Sequence, residues 1–231
     1  MIVNGINLSG LVKVKADKSL IAPLEVVSAQ IPGRDGDKLI KGHLGTYTIP
    51  VHMRLTLPPR EYTFHTRRKL ASLLFHREPV QVIFDDEPDK YYMGLFSGES
   101  ELSNLWYTAS FDLEFICDSA FAYSVIEREE NNLGEFTNRG TAPTRGILTV
   151  TGATSSELQI LNERTGKFVR IVQNLVKSDT VIIDFTKEKV TVNGYFQPVT
   201  LESDFFDIEP GTNSWTLSHG TGVLRFRERW I

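Results

Sequence analysis

Apolar and polar residues alternate with a period of two over much of the chain, the pattern of half-buried β-strands. From Thr48 to Leu57, Ile49, Val51, Met53, Leu55 and Leu57 fall on one face and Pro50, His52, Arg54 and Thr56 on the other. This predicts a strand that tolerates Pro50 near its start, where a missing N–H costs little, and stops at Pro58-Pro59. A longer run sets Leu105, Tyr107, Ala109, Phe111, Leu113, Phe115 and Cys117 against Trp106, Thr108, Ser110, Asp112, Glu114 and Ile116. It predicts one strand from Leu105 to Cys117. Between these two, residues 80–84 and 91–96 flank Asp85-Asp86-Glu87-Pro88-Asp89 and predict a hairpin with an acidic turn.

One segment changes period. Over Thr66 to His76, Leu70, Leu73 and Leu74 make a single apolar stripe, which predicts a helix. Thr66 is placed to cap it and Pro79 lies just beyond it. Arg67, Arg68 and Lys69 crowd the first turn, where the helix dipole disfavours cations; a solvated basic face is the simpler reading and an acidic neighbour across an interface the alternative.

The pattern breaks at Arg139-Gly140-Thr141-Ala142-Pro143. Residues 131–143 have the composition of a linker, so the expected division is a β-domain over 1–130, a linker over 131–143 and a β-sandwich over 144–231. The second half predicts a strand at 146–152, a hairpin from Leu158 to Val172 turning near Glu163-Arg164-Thr165-Gly166, and a hairpin from Thr180 to Asn193 turning at Lys187-Glu188-Lys189. A closing pair, 214–217 and 223–231, is joined by His219-Gly220-Thr221-Gly222. Short strands at this spacing indicate a sandwich. The fold class is all-β with one helix.

Composition removes several function classes. The 231 residues carry a formal net charge of −4, and neither half has the basic excess that phosphate binding needs. No apolar run reaches the ~20 residues of a membrane-spanning helix, so no membrane insertion is expected. The first residues lack the basic and apolar regions of a secretory leader, and synthesis in the cytoplasm is expected. The one cysteine, Cys117, lies on an apolar face and reads as a buried, inert thiol.

The candidate chemistry is sparse. The acidic turn Asp85, Asp86, Glu87, Asp89 offers oxygen ligands without EF-hand spacing, and a solvated hairpin turn is the simpler reading. The five histidines form no zinc pattern. Glu99, Glu101, Asp112 and Glu114 provide no specific acid–base pair for glycoside hydrolysis, and no nucleophile elbow or phosphate loop is present. No enzymatic activity, catalytic residue, cofactor or metal is expected. Trp215, Phe226 and Trp230 could stack on sugar, but a buried face behind Arg225, Arg227 and Arg229 explains them more economically.

Several segments, taken in order, resemble a known family. They are Ile31-Pro32-Gly33-Arg34-Asp35-Gly36, the single helix followed by an aromatic hairpin, Phe115-Ile116-Cys117-Asp118-Ser119-Ala120-Phe121-Ala122-Tyr123, Gly140-Thr141-Ala142-Pro143 and Arg227-Glu228-Arg229-Trp230. Together they resemble the distal tail protein (Dit) family of siphovirus tail tips and prophage tail components. The resemblance implies an N-terminal β-sandwich-like domain with a helix and a belt extension, and a galectin-like C-terminal sandwich. It implies a homo-hexameric ring at the distal end of the virion tail. The ring would join the major tail tube protein to a tail-associated lysin or fibre (Tal) protein, and leave a channel for the tape-measure protein and DNA. No extra carbohydrate-binding module is expected, and the histidine-centred signature of sugar-binding galectins is absent. A carbohydrate-binding module is the alternative function. The stretch from Gln30 to Thr46 is the favoured belt, with Ile31, Gly33, Arg34, Asp35, Gly36, Lys38 and Gly42 as candidate interface residues.

Overall fold

In a computed structural model, the chain divides into two compact units, Met1–Ala122 and Tyr123–Trp230. The structure describes residues 1–20, 23–33, 35–56, 64–98, 103–105 and 108–231, with backbone alone at 64–67, 103–105, 108 and 109. The expected residues Arg34, Leu57, Pro58, Pro59, Glu99, Glu101, Trp106 and Tyr107 therefore lie outside the described residues.

The first unit runs β1 (Ile2–Val3), β2 (Ile6–Asn7), β3 (Val12–Ala16), β4 (Leu24–Ala29), β5 (Lys38–Leu44), β6 (Thr48–Leu55), α1 (Phe64–Leu74), β7 (Val80–Ile83), β8 (Lys90–Ser97), β9 (Ser103–Leu105) and β10 (Thr108–Cys117). Its main sheet follows the path β2-β1-β7-β8-β10-β6-β3, with β9 against β10. The alternation of β6 is borne out: Ile49, Val51, Met53 and Leu55 are buried, while Pro50, His52 and Arg54 face outward. Pro50 lies one residue past the last rung of the β3–β6 ladder, Ala16 opposite Val51; its carbonyl accepts the Asp17 N–H at 2.9 Å, and it has no N–H to return. On β10, Phe111, Phe115 and Cys117 face the core. Leu105 is not part of that strand: it lies in β9, opposite Thr108. Alternation alone cannot distinguish one long strand from two that fold back on each other.

The helix begins two residues earlier than expected, at Phe64, so Thr66 lies inside it and is not its cap. Its stripe is as expected, with Leu70 and Leu74 buried and Leu73 half-buried. Gly94, within β8, is a packing requirement. A Cβ there would stand 2.2 Å from the Ile116 carbonyl oxygen, inside any permissible contact.

The second unit continues from β11 (Ala122–Ser124) through β12 (Arg128–Glu130), β13 (Phe136–Asn138), β14 (Gly146–Thr151), β15 (Ser155–Asn162), β16 (Phe168–Leu175), β17 (Thr180–Asp184), β18 (Lys189–Val192), β19 (Tyr195–Gln197), β20 (Gly211–Asn213), β21 (Trp215–Leu217), β22 (Thr221–Phe226) and β23 (Arg229–Trp230). One sheet has the order β12-β22-β14-β17-β18-β19 and a second the order β16-β15-β21. Their inward residues make one core, including Leu148, Val150 and Leu224 from the first and Leu158, Ile160 and Trp215 from the second. This is a sandwich. The two expected hairpins are β15–β16 and β17–β18. The closing pair is not a hairpin: β21 pairs with β15, whereas β22 pairs with β12 and β14. Neighbours in sequence thus belong to opposite sheets. The last predicted strand also breaks in two, because Glu228 turns inward between β22 and β23.

Residues 131–143, read from composition as a linker, fold within the second unit. Leu133, Phe136 and Ala142 are buried, and β13 pairs with β20. Polar residues here bind backbone rather than water. Asn138 donates to the carbonyls of Ala142 (3.3 Å) and Ile208 (3.2 Å), and Glu228 accepts from Arg128 Nη1 (2.8 Å) and the Arg139 N–H (2.9 Å). Gly140 is tightly enclosed, since a Cβ would lie 2.3 Å from the Arg229 carbonyl oxygen. Arg227 and Arg229, expected on an outer face, are half-buried and donate to the carbonyls of Ser124, Val125 and Pro143.

Candidate functional site

Among the described residues, β4 and β5 form a two-stranded sheet that joins no other strand. Their register sets Leu24 opposite Leu44, Glu25 opposite His43, Val26 opposite Gly42 and Val27 opposite Lys41. Side chains directly across an antiparallel ladder share a face, so Leu24, Val26 and Leu44 lie on one face and Glu25, His43, Val27 and Lys41 on the other. A shift in register after Val27 leaves Ile40 as the extra residue of a bulge. The apolar face is open to solvent: Leu24 is 59%, Val26 49% and Leu44 36% exposed. On the other face Glu25 and His43 approach within 3.0 Å. An isolated two-stranded hairpin is marginal in water, and this one leaves its apolar side chains uncovered.

Most of the residues expected at an interface lie in or beside this hairpin. Ile31 is 39% exposed beside the turn, and Asp35 is exposed within it. Gly33 and Gly36 have φ of 82° and 78°, the left-handed region that glycine occupies without strain. Lys38 opens β5, and Gly42 lies within it under the Leu24 side chain, 3.2–3.3 Å from where a Cβ would be. Seven residues of the expected Gln30 to Thr46 stretch, Lys38–Leu44, are therefore strand. Leu24, Val26 and Leu44 were missed by sequence reasoning. Alternation was present in Leu24-Glu25-Val26, but the bulge at Ile40 throws the returning strand out of phase.

Elsewhere charge is used locally. Lys18 Nζ lies 2.8 Å from Asp86 and 2.5 Å from Glu87, over the rings of Phe84 and Tyr92, and Glu87 also accepts from Tyr92 at 3.0 Å and Lys90 at 3.2 Å. Burial works to raise the Glu87 pKa, but the Lys18 ammonium and the other donors outweigh it and lower the value. Asp85 takes the Met1 ammonium at 2.5 Å. The acidic turn is thus cross-linked by cations of the chain itself. His52 bridges Asp112 (2.6 Å, Nδ1) and Asp17 (3.1 Å, Nε2), and the Asp112 hydrogen bond raises its pKa above the usual histidine range. Cys117 is buried, which pushes its thiol up to about 12 and away from nucleophilic reactivity. Trp215 is 1% exposed and packed among Phe136, Phe185 and Phe206 at centroid distances of 5.3, 5.2 and 4.9 Å. It has no face to offer a sugar.

The architecture is thus an exposed two-stranded hairpin within one β-unit, followed by a β-sandwich. Residues 5–117 match the phage tail protein RIFT-related domain and residues 139–230 the siphovirus-type tail component C-terminal domain. The chain is 24% identical over 217 residues to the distal tail protein of Bacillus phage SPP1, covering 90% of this chain and 86% of that one. The crystal structure of SPP1 Dit, described as a paradigm of the hub adsorption apparatus in phages that infect Gram-positive bacteria, superposes with a TM-score of 0.84 at 18% identity, over 100% of this chain and 98% of that one. A chain of the phage P2 baseplate, in its activated conformation with calcium, gives a TM-score of 0.50 at 9% identity over 95% and 91%. The chain belongs to the distal tail protein (Dit) family.

Proposed function

We propose that this protein is the structural hub of a siphovirus or prophage tail tip. Six copies form a ring that joins the tail tube to a tail-associated lysin or fibre protein, and the ring leaves a channel for the tape-measure protein and DNA. The observation that carries the assembly is the β4–β5 hairpin, whose apolar face is exposed in the single chain. Association through a face of this kind, repeated around a rotation axis, closes a ring. The second unit is a galectin-like sandwich, and the protein does no chemistry. Burial of Trp215 and of the Cys117 thiol supports that reading. So does neutralisation of the acidic turn by Lys18, Lys90 and the Met1 ammonium. Labelling intact particles with gold-conjugated antibody against this chain tests the location. Label at the distal end of the tail is the expected result; label along the tube, or none on particles, would overturn it.

A further inference from the structure

The chain contains two Asn-Gly pairs, Asn4-Gly5 and Asn193-Gly194. Each forms the two-residue turn of a hairpin. Asn4-Gly5 joins β1 to β2 across the Val3–Ile6 rung, and Asn193-Gly194 joins β18 to β19 across the Val192–Tyr195 rung. Both turns place two residues in the left-handed region, with φ of 46° and 79° in the first and 51° and 85° in the second. Asn-Gly is the pair that suits such turns. All four residues are exposed, so backbone conformation and exposure are matched.

The asparagine side chains are not matched. Asn193 Nδ2 donates to Asp179 Oδ1 at 2.9 Å, and Asn193 Oδ1 accepts the Thr180 N–H at 3.0 Å. Asp179 is itself held, because its other oxygen accepts the Val176 N–H at 2.9 Å. The Asn4 carboxamide has no hydrogen bond among the described residues, and neither has the Gly5 N–H. Asn4 is tied only through its backbone N–H, which donates to the Gln81 carbonyl at 2.8 Å. It borders a cleft of about 590 Å³ shared with His76, Arg77, Glu78, Gln81 and Met93, which leaves its side chain room to rotate.

We propose that Asn4-Gly5 is a site of spontaneous covalent modification and that Asn193-Gly194 is protected from it. The Gly5 nitrogen attacks Asn4 Cγ. A new N–C bond forms, the Cγ–Nδ2 bond breaks, and the Gly5 proton leaves with the amide as ammonia. The five-membered imide takes up one water at either carbonyl and opens to aspartate or isoaspartate. Glycine suits the attack because it has no Cβ to crowd the incoming carbon. Nitrogen and carbon must meet in a near-attack geometry. A free carboxamide reaches it by bond rotation, whereas that of Asn193 must first give up two hydrogen bonds.

The product alters the first unit. Leu8 N–H donates to the Met1 carbonyl at 2.9 Å, so Val3 and Ile6 form the next hydrogen-bonded rung. Isoaspartate routes the backbone through Cβ and lengthens a turn whose size fixes that register. β2 ends the main sheet and, among the described residues, pairs only with β1. Modification therefore loosens β2 and adds a carboxylate to the cleft of His76 and Arg77, a change that accumulates with the age of the molecule.

Peptide mapping by mass spectrometry tests this in the full chain. Folded protein is held at mildly alkaline pH, with a parallel sample in guanidinium chloride as the unfolded reference. In the reference both sites should convert alike. In the folded chain Asn4 should convert to a mixture of aspartate and isoaspartate. Asn193 should lag at least about tenfold, the factor set by hydrogen bonds worth about 1.4 kcal/mol in all. A folded chain that retains Asn4 while the reference converts would overturn the proposal, as would Asn193 converting as fast as Asn4. Asp179→Ala frees the Asn193 amide and should raise its rate; an unchanged rate would overturn the tether as the cause of protection. The modified fraction should lose hydrogen-exchange protection at the Ile6 amide. Equal protection before and after conversion would overturn the loosening of β2 and leave the site.

Discussion

His52 lies on the exposed face of β6, held between a carboxylate from β10 and one that follows β3. The Asp112 hydrogen bond is the largest influence, and Asp17 adds to it, so the folded-state pKa is raised above the ordinary histidine value of about 6.5. The associated stabilisation is complete below the unfolded-state pKa and is lost as pH rises through the folded one. Screening keeps it small, because His52 is half exposed. Titration of the imidazole by NMR should give a midpoint above 6.5 in the wild type and one moved back toward it in Asp112→Asn; identical midpoints would mean that the 2.6 Å contact does not form in solution. Gly94 has a larger role. Gly94→Ala forces a methyl group against the Ile116 carbonyl, and should destabilise the fold by about 1–3 kcal/mol in a urea titration, the usual range for overpacking. Residue-level burial was legible where alternation was regular, as along β6. Gly94 was not, since nothing in the sequence shows which backbone crosses it.

The β4–β5 hairpin is the element on which the proposed assembly depends. Val26 buries little in the single chain, so Val26→Asp should leave the melting temperature of the monomer nearly unchanged while abolishing the higher oligomer in light scattering. A folded oligomer of unchanged mass would show that the apolar face is not used. Deleting residues 35–42 removes the turn and most of β5. It should give the same loss of assembly with the two core clusters intact, judged by near-ultraviolet circular dichroism. At this scale the sequence was informative about strands with strict alternation and about the helix stripe, and uninformative in three places. The bulge at Ile40 hid a strand. The Leu105–Cys117 run concealed a fold-back. The polar segment at 131–143 read as linker because residues such as Asn138 look solvated in a sequence, whereas here Asn138 is buried and donates to the Ala142 and Ile208 carbonyls. Strand partnership is also not a local property, which is why Trp215–Leu217 and Thr221–Phe226 were expected together and lie in different sheets.

For the whole molecule, the two-unit organisation and its all-β character were readable from patterning. Membership of the distal tail family came from the order of several weak motifs. What patterning could not supply was the boundary between Ala122 and Tyr123 and the surface left open for a neighbour. The open surface is the observation that turns a family likeness into a physical account of the proposed assembly: the chain carries a hairpin whose apolar face is exposed. The most direct test is multi-angle light scattering of the purified chain over a wide concentration range, with negative-stain images of the same fractions. The account predicts a species with the mass of six 26.1-kDa chains that appears as a ring with a central opening. A mass of one chain at the highest concentration, with no rings in the images, would contradict it.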